Sequence, residues 1–160
     1  DGVFINMATP ATIRAIADRV RAGAAEAGRD PAKLEIIAKV RVSLNPDRKV
    51  ARSKLRQVLT FYNIADHYKD LLKASGFESE VTAIEKAFRE GGFRAAQPLI
   101  TDEYMDRLPV IPGTSIREIK DRLAPFVEAG ATRLIVPYVP VTEPVTDDAR
   151  KFIDAWGSHS

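Results

Sequence analysis

The sequence has no cysteine and only two histidines, so two common sources of reactive or metal-binding side chains are missing. Without thiols the chain forms no disulfide and no thiolate metal site, a composition typical of a cytoplasmic protein. His67 and His159 lie far apart and have no ligand spacing, so we expect no metal centre. Neither a P-loop nor a GxSxG nucleophile motif occurs.

Long apolar runs and a strong net charge are also missing. No stretch reaches the length of a membrane span, and no signal-peptide pattern opens the chain. The net charge of +2 comes from 24 basic and 22 acidic residues that are well interspersed. We therefore expect neither a membrane nor a nucleic acid as a partner. Hydrophobic residues make up 45% of the chain and charged residues 29%, the balance of a globular domain.

The most informative stretch is Leu34–Leu44, LEIIAKVRVSL, which alternates with the period of a β-strand. One face is apolar, and the other carries Lys39, Arg41 and Ser43. Because amphipathic helical patterns flank the stretch, we expect a parallel sheet covered by helices. In a closed barrel of this kind the second face points inward, where a charge must be paired or used.

The segments around this strand predict a strand–helix–strand order. Gly2–Asn6 reads as a strand, and the next helix has an N-cap at Thr9 and a stop at Gly28. A second helix is predicted with its cap at Asn45 and its first residue at Pro46. The chain opens with a strand and without Met, so we expect a fragment or a processed chain.

A helical insertion is predicted over about 58–108, after which the chain returns toward the sheet at Val110. A capped helix then leads to a third parallel strand at Arg133–Val136. The last helix starts near Thr146 and is expected to bury three side chains, followed by a disordered tail at 157–160. Those three side chains are Phe152, Ile153 and Trp156.

The order and spacing of several motifs resemble the luciferase-like monooxygenase superfamily. DGVFIN, ADRVRAGAAEAGRDPAKLEI and NPDRKVAR follow one another, and FYNIADHYKDLLKASGF lies in the helical insertion. The closing stretch VIPGTSIREIKDRLAPFVEAGATRLIV is also similar. The deazaflavin-dependent oxidoreductase branch, which includes the methylenetetrahydromethanopterin reductases, is the most similar part of that superfamily.

This resemblance implies that residues 1–156 form the C-terminal half of a TIM (β/α)8 barrel, with about three parallel strands, covering helices and the helical insertion. It implies an oxidoreductase that transfers a hydride between coenzyme F-420, a deazaflavin, and a small organic substrate. FMN is the alternative cofactor, with monooxygenase chemistry. Because the first barrel strands are missing, we expect this chain alone to be inactive. The other hypothesis is a non-catalytic half-barrel module that pairs with another chain.

Four polar residues are the candidate site. Arg41, Lys39 and Ser43 are predicted to bind an anionic group of the substrate, since cations on an inward strand face can hold phosphate or carboxylate. The alternative is an internal ion pair, for example with Glu35. Asn6 ends its strand on the inward face and is predicted to bind the cofactor. Its alternative is a strand-end turn residue.

Tyr62, His67 and Tyr68 lie in the helical insertion, which can form a lid over a barrel mouth. For the two tyrosines, aromatic packing is the alternative, and for His67 a surface position. The sequence identifies no catalytic residue. In hydride transfer the cofactor carries the chemistry while the protein orients it, so the absence of an acid–base dyad does not argue against this reaction, and we expect the catalytic residues in the missing half.

The predicted strand set is too small to close, since a barrel of this type has about eight strands. It leaves bare sheet edges and an uncovered inward face that carries Phe4, Ile37 and Ile135. We therefore expect a protein partner. The candidates are the N-terminal half of the same barrel and a second copy of this chain as a homo-oligomer.

Overall fold

Strands and helices alternate along the chain in an α/β fold. The computed structural model describes residues 1–158. The strands are β1 (Gly2–Asn6), β2 (Glu35–Lys39), β3 (Arg41–Leu44), β4 (Val110–Gly113) and β5 (Arg133–Ile135). The helices are α1 (Pro10–Glu26), α2 (Arg48–Ile64), α3 (Asp66–Leu72), α4 (Glu78–Ala96), α5 (Asp102–Asp106), α6 (Ile116–Glu128) and α7 (Val145–Gly157).

All the strand pairs are parallel, as the alternation of strands and helices predicts. The predicted central strand is present and is divided at Val40 into β2 and β3. β1 pairs with β2, and β5 pairs with the other edge of β2, so the order β1–β2–β5 is confirmed. β3 pairs with β4, a strand that the sequence analysis treated only as the return of the chain.

The direction of the backbone amides shows where β4 lies. Successive residues of a strand direct their N–H groups to opposite edges. The Glu35 amide donates to the residue before β1, and the Arg41 amide donates to the residue before β4. The amides of Val40 and Val42 donate in the opposite direction, to β5 and to the segment that follows it. β4 therefore extends the same edge that β1 begins, and the long strand β2–β3 lies in the centre.

One sheet face is covered by α1, α6 and α7, which pack on the apolar side of β2–β3. Four side chains of that face are 0 to 1% exposed: Ile36, Ala38, Val40 and Val42. The opposite face has two regions. The part formed by β1, β2 and β5 is open, with Phe4 56% and Ile135 41% exposed, as expected. The part around Arg41 lies beneath the helices of the insertion, which have their own apolar core.

The N-cap of α1 is the residue predicted from the sequence, whereas the N-cap of α2 is a different one. Thr9 caps α1 by accepting a hydrogen bond from the Thr12 amide. The predicted cap at Asn45 is wrong, because Asp47 caps α2 through the Lys49 amide and the helix starts two residues after Pro46. The Asn45 side chain instead accepts a hydrogen bond from the Asp47 amide and shapes the turn before the helix.

The C-terminal helix packs differently from the expectation. Phe152 is buried and stacks on Tyr138 with the ring centroids 4.2 Å apart. Ile153, which was expected to be buried, is 66% exposed. It lies beside a groove that α7 forms with the free edge of β5. Of the predicted tail, Gly157 belongs to α7 and Ser158 caps that helix, whereas residues 159–160 lie outside the described part of the chain.

A half-buried ion pair fixes the turn between β4 and α6. Glu118 accepts hydrogen bonds from Arg48 at 2.5 Å and from both the amide and the hydroxyl of Thr114. Burial opposes ionisation, but these bonds outweigh it and hold the pKa of Glu118 at about 2, against an ordinary value of 4.5. Ser115 caps α6 by accepting a hydrogen bond from the Glu118 amide, but the Glu118 carboxylate bonds the Thr114 amide rather than that of Ser115, so the reciprocal capping box is incomplete.

Glu118→Gln should therefore lower the free energy of unfolding at neutral pH. The folded pKa is depressed, so this contribution is complete above pH 4.5 and is lost as the pH falls toward 2. With a discount for the partial exposure of the side chain, we expect a loss of roughly 2 kcal/mol. Denaturant unfolding from pH 7 to pH 2 measures it. Glu128→Gln, at the exposed end of the same helix, is the control. An unchanged acid dependence in Glu118→Gln would contradict the assignment.

Candidate functional site: a buried cation at the strand ends

Arg41 lies where the β2–β3 strand passes under the helical insertion, and its side chain is buried, with 8% of the residue exposed. Its guanidinium stacks on Tyr62 of α2, with Cζ 4.4 Å from the ring centroid. Nη2 donates a hydrogen bond to the Tyr62 hydroxyl, and Nη1 lies 3.4 Å from Oδ1 of Asn6 at the end of β1. Arg41 therefore links the end of β1 and the start of β3 to the helical insertion.

Asn6 continues the hydrogen-bond chain toward α3. Its Nδ2 donates to the Tyr68 hydroxyl at 3.0 Å, and the Tyr62 and Tyr68 rings meet edge to face with centroids 4.4 Å apart. The two tyrosines lie on either side of Ala65, whose extended backbone ends α2 and starts α3. This break turns the chain so that both hydroxyls reach the strand ends.

The charge of Arg41 has no acidic counterpart in the described residues 1–158, where neither Arg41 nor Lys39 forms an ion pair. Glu35, the partner considered from the sequence, bonds Arg133 at 2.6 Å instead. A buried guanidinium without a carboxylate is costly, and the ring of Tyr62 offsets only part of that cost. The arrangement is suited to an anionic ligand.

Lys39 adds a second cation to the same face. It ends β2 two residues before Arg41 and is half-buried. Burial, and after it the positive charge of Arg41, lower the pKa of Lys39 below its ordinary value of 10.5. An anion bound between these two side chains would relieve their mutual repulsion.

The other predicted residues lie in different surroundings. Ser43 is fully buried, and its hydroxyl donates to the Val139 carbonyl at 2.9 Å, so its proton links β3 to the segment that follows β5. Its role in substrate binding stays a prediction. His67 is exposed, and its ring lies 4.2 Å from that of Tyr68. Tyr62 and Tyr68 pack together, and they also bond Arg41 and Asn6, which the sequence analysis did not foresee.

A metal-binding cluster and a membrane-spanning helix are both absent from residues 1–158. No three histidine, aspartate or glutamate side chains come close enough to hold a metal ion in this range. No helix in the same part of the chain is both long and apolar enough to cross a membrane.

The chain is an α/β protein of parallel βα units, with polar side chains near the ends of its strands. In α/β proteins with parallel sheets, ligands bind at the edge where the strands end. The family model for luciferase-like monooxygenases matches residues 1–133 of this chain. The chain therefore belongs to the luciferase-like monooxygenase family.

Individual relatives carry one common name. The chain is 26% identical, over 98% of its length, to a 5,10-methylenetetrahydromethanopterin reductase of Archaeoglobus fulgidus, of which it covers 46%. It is 29% identical over 84% of its length to the protein of that name from Methanolobus tindarius, of which it covers 41%. The chain thus spans less than half the length of these relatives.

Solved structures show the same fold. The chain matches the coenzyme F-420-dependent tetrahydromethanopterin reductase of Methanopyrus kandleri with a TM-score of 0.75 and 23% identity, over 99% of this chain and 45% of that one. It matches an F-420-dependent secondary alcohol dehydrogenase, solved with an F-420–acetone adduct, with a TM-score of 0.62 and 20% identity. That match covers 98% of this chain and 43% of the other.

Arg41→Met should raise the pKa of Lys39 toward 10.5, because it removes one of the two causes of the depression. Burial remains, so the return should be partial. Titration of the Lys39 side chain by NMR measures it. Arg133→Met, which removes an exposed cation of the same sheet that is not among the causes, is the control. An unchanged Lys39 pKa in Arg41→Met would show that the two charges do not interact.

Proposed function

We propose that this chain is part of a coenzyme F-420-dependent oxidoreductase that transfers a hydride between the cofactor and a small organic substrate. Family membership and the names of the relatives support the class of reaction. The observation that carries the proposal to particular residues is the buried, uncompensated guanidinium of Arg41 at the strand ends.

The residues present fit an anionic cofactor or substrate. Coenzyme F-420 and FMN both carry phosphate, and a guanidinium and an ammonium on one sheet face are suitable partners for it. Arg41 and Lys39 would bind an anionic group of the substrate or cofactor, and Asn6, held by Arg41 and Tyr68, would bind the cofactor. The named relatives favour F-420 over FMN.

The chain's own contribution would be binding, orientation and exclusion of water. When bound, the deazaflavin ring supplies the hydride chemistry. Arg41 fixes the anionic group through charge-assisted hydrogen bonds, while the ring of Tyr62, which packs against Tyr68, covers the guanidinium from the insertion side. Burial strengthens these interactions, because the local dielectric is lower than that of water.

We infer that the open sheet face is covered by the N-terminal half of a (β/α)8 barrel, with this chain as the C-terminal half. The exposed Phe4 and Ile135 side chains lie on that face. The free edge of β5 lies beside an apolar groove that includes Ile153, where a strand and helix could pack. A second copy of this chain is the other candidate. The chain would be active only with its complement.

Arg41→Met in the whole protein should weaken binding of the anionic ligand. Loss of a charge-assisted hydrogen bond costs roughly 1.5–3 kcal/mol, or about tenfold or more in affinity. Titration with coenzyme F-420 and steady-state KM for the substrate separate the two ligands. Arg41→Lys keeps the charge without the fork and should recover part of the affinity. If Arg41→Met loses thermal stability and keeps both affinities, the role of Arg41 is structural.

Phe4→Lys should weaken association with the complementary half, because an apolar ring on the buried side of the contact is worth about 1.5–3 kcal/mol. Val127→Lys is the matched control, since Val127 is 54% exposed but lies on α6. Size exclusion with denaturing electrophoresis distinguishes two fragments in one particle from a homodimer of one fragment. A monodisperse 17.7 kDa monomer of native-like stability would exclude both partners.

A further inference from the structure

Arg41 imposes a direction on the whole hydrogen-bond chain. A guanidinium can only donate, so the atom of Asn6 that faces Arg41 must be the carbonyl oxygen Oδ1. Nδ2 of Asn6 then faces Tyr68 and must donate to it, so the Tyr68 hydroxyl is an acceptor. The Tyr62 hydroxyl is likewise an acceptor, from Nη2 of Arg41.

This direction leaves both tyrosine protons without a protein acceptor. Each hydroxyl carries one proton besides the lone pair that it offers. Within residues 1–158, no hydrogen bond is donated by the hydroxyl of Tyr62 or of Tyr68. Tyr62 is only 8% exposed, and a buried hydroxyl normally finds a partner for its proton. The ammonium of Lys39, on the same strand face, adds further donors without an acceptor.

The unused hydrogen-bonding groups described above, two hydroxyl protons and an ammonium, are donors, and they are complementary to a ligand that accepts hydrogen bonds. We propose that Tyr62 and Tyr68 are ligand-binding residues. Their hydroxyls donate hydrogen bonds to the same oxyanion that Arg41 binds, which is a carboxylate or a phosphate group. This inference rests on the proposed anion-binding role of Arg41 and adds two residues that determine specificity. Because the tyrosines belong to α2 and α3 and Arg41 to the sheet, the oxyanion would bind only when the insertion is docked.

The test compares Tyr62→Phe and Tyr68→Phe with Tyr104→Phe. Tyr104 is also buried in the insertion, but its hydroxyl donates to Oδ1 of Asn63 at 2.7 Å and is fully used there. Calorimetric titration with inorganic phosphate and with malonate at low salt measures the affinity, and thermal unfolding measures stability. Tyr62→Phe and Tyr68→Phe should each lose about tenfold in affinity for phosphate or for malonate. Tyr104→Phe should keep the affinity within about twofold and lower the melting temperature.

Repetition on the whole protein identifies the source of the oxyanion. If the group belongs to the cofactor, the two site variants weaken F-420 binding. If it belongs to the substrate, F-420 binding is unchanged and KM for the substrate rises. Either result supports the inference.

Arg41→Met distinguishes the role inferred for the two tyrosines from the anion-binding role proposed for Arg41. If Arg41→Met weakens anion binding and both tyrosine variants retain full affinity, the inference alone is overturned. If Arg41→Met also retains full affinity, or the parent protein binds neither phosphate nor malonate, the anion site itself is wrong.

Discussion

The burial of one positive charge without an acidic partner is the constraint on which the contact between the sheet and the helical insertion depends. Arg41 is held by the ring and hydroxyl of Tyr62 and by Asn6, all of which are neutral. Neutral groups satisfy its hydrogen bonds but do not neutralise it, which is the basis for proposing that Arg41 binds an anion. The same contacts join β1, β3 and α2, so the proposed binding and the docking of the helical insertion involve the same residues.

Strand periodicity was sufficient to predict the part of the fold that bears this cation. Alternation in Leu34–Leu44 placed Arg41 and Lys39 on one face, and helix caps such as Thr9 fixed the flanking elements. β4 was not predicted as a strand, because four residues that include Pro112 carry too little pattern. The cap at Asn45 was wrong because two capping residues, Asn45 and Asp47, lie on either side of one proline, and propensity alone does not choose between them.

Within the candidate site, the sequence assigned a binding role only to residues on strands, and it considered Tyr62 and Tyr68 as part of a lid or of aromatic packing. Arg41 and Asn6 stood out because polar side chains on an inward strand face need a reason. Tyr62 and Tyr68 fit ordinary aromatic packing, and only the break at Ala65 brings their hydroxyls to the strand ends. A pair of tyrosines on either side of a helix break, opposite an unpaired cation, is the signal that could have found them. The exposed Phe4 follows from the small number of strands, and it lies on the face for which a complementary half is proposed.

The binding role proposed for Arg41, toward an anionic group of the cofactor or the substrate, can be observed at the guanidinium itself. The most direct measurement is the NMR signal of the Arg41 guanidinium nitrogens in the whole protein, assigned with Arg41→Met and followed as coenzyme F-420 and then substrate are added. We expect a large shift of this signal on addition of one of the two ligands, while the signal of Arg133 stays in place. A signal that does not move with either ligand would contradict it.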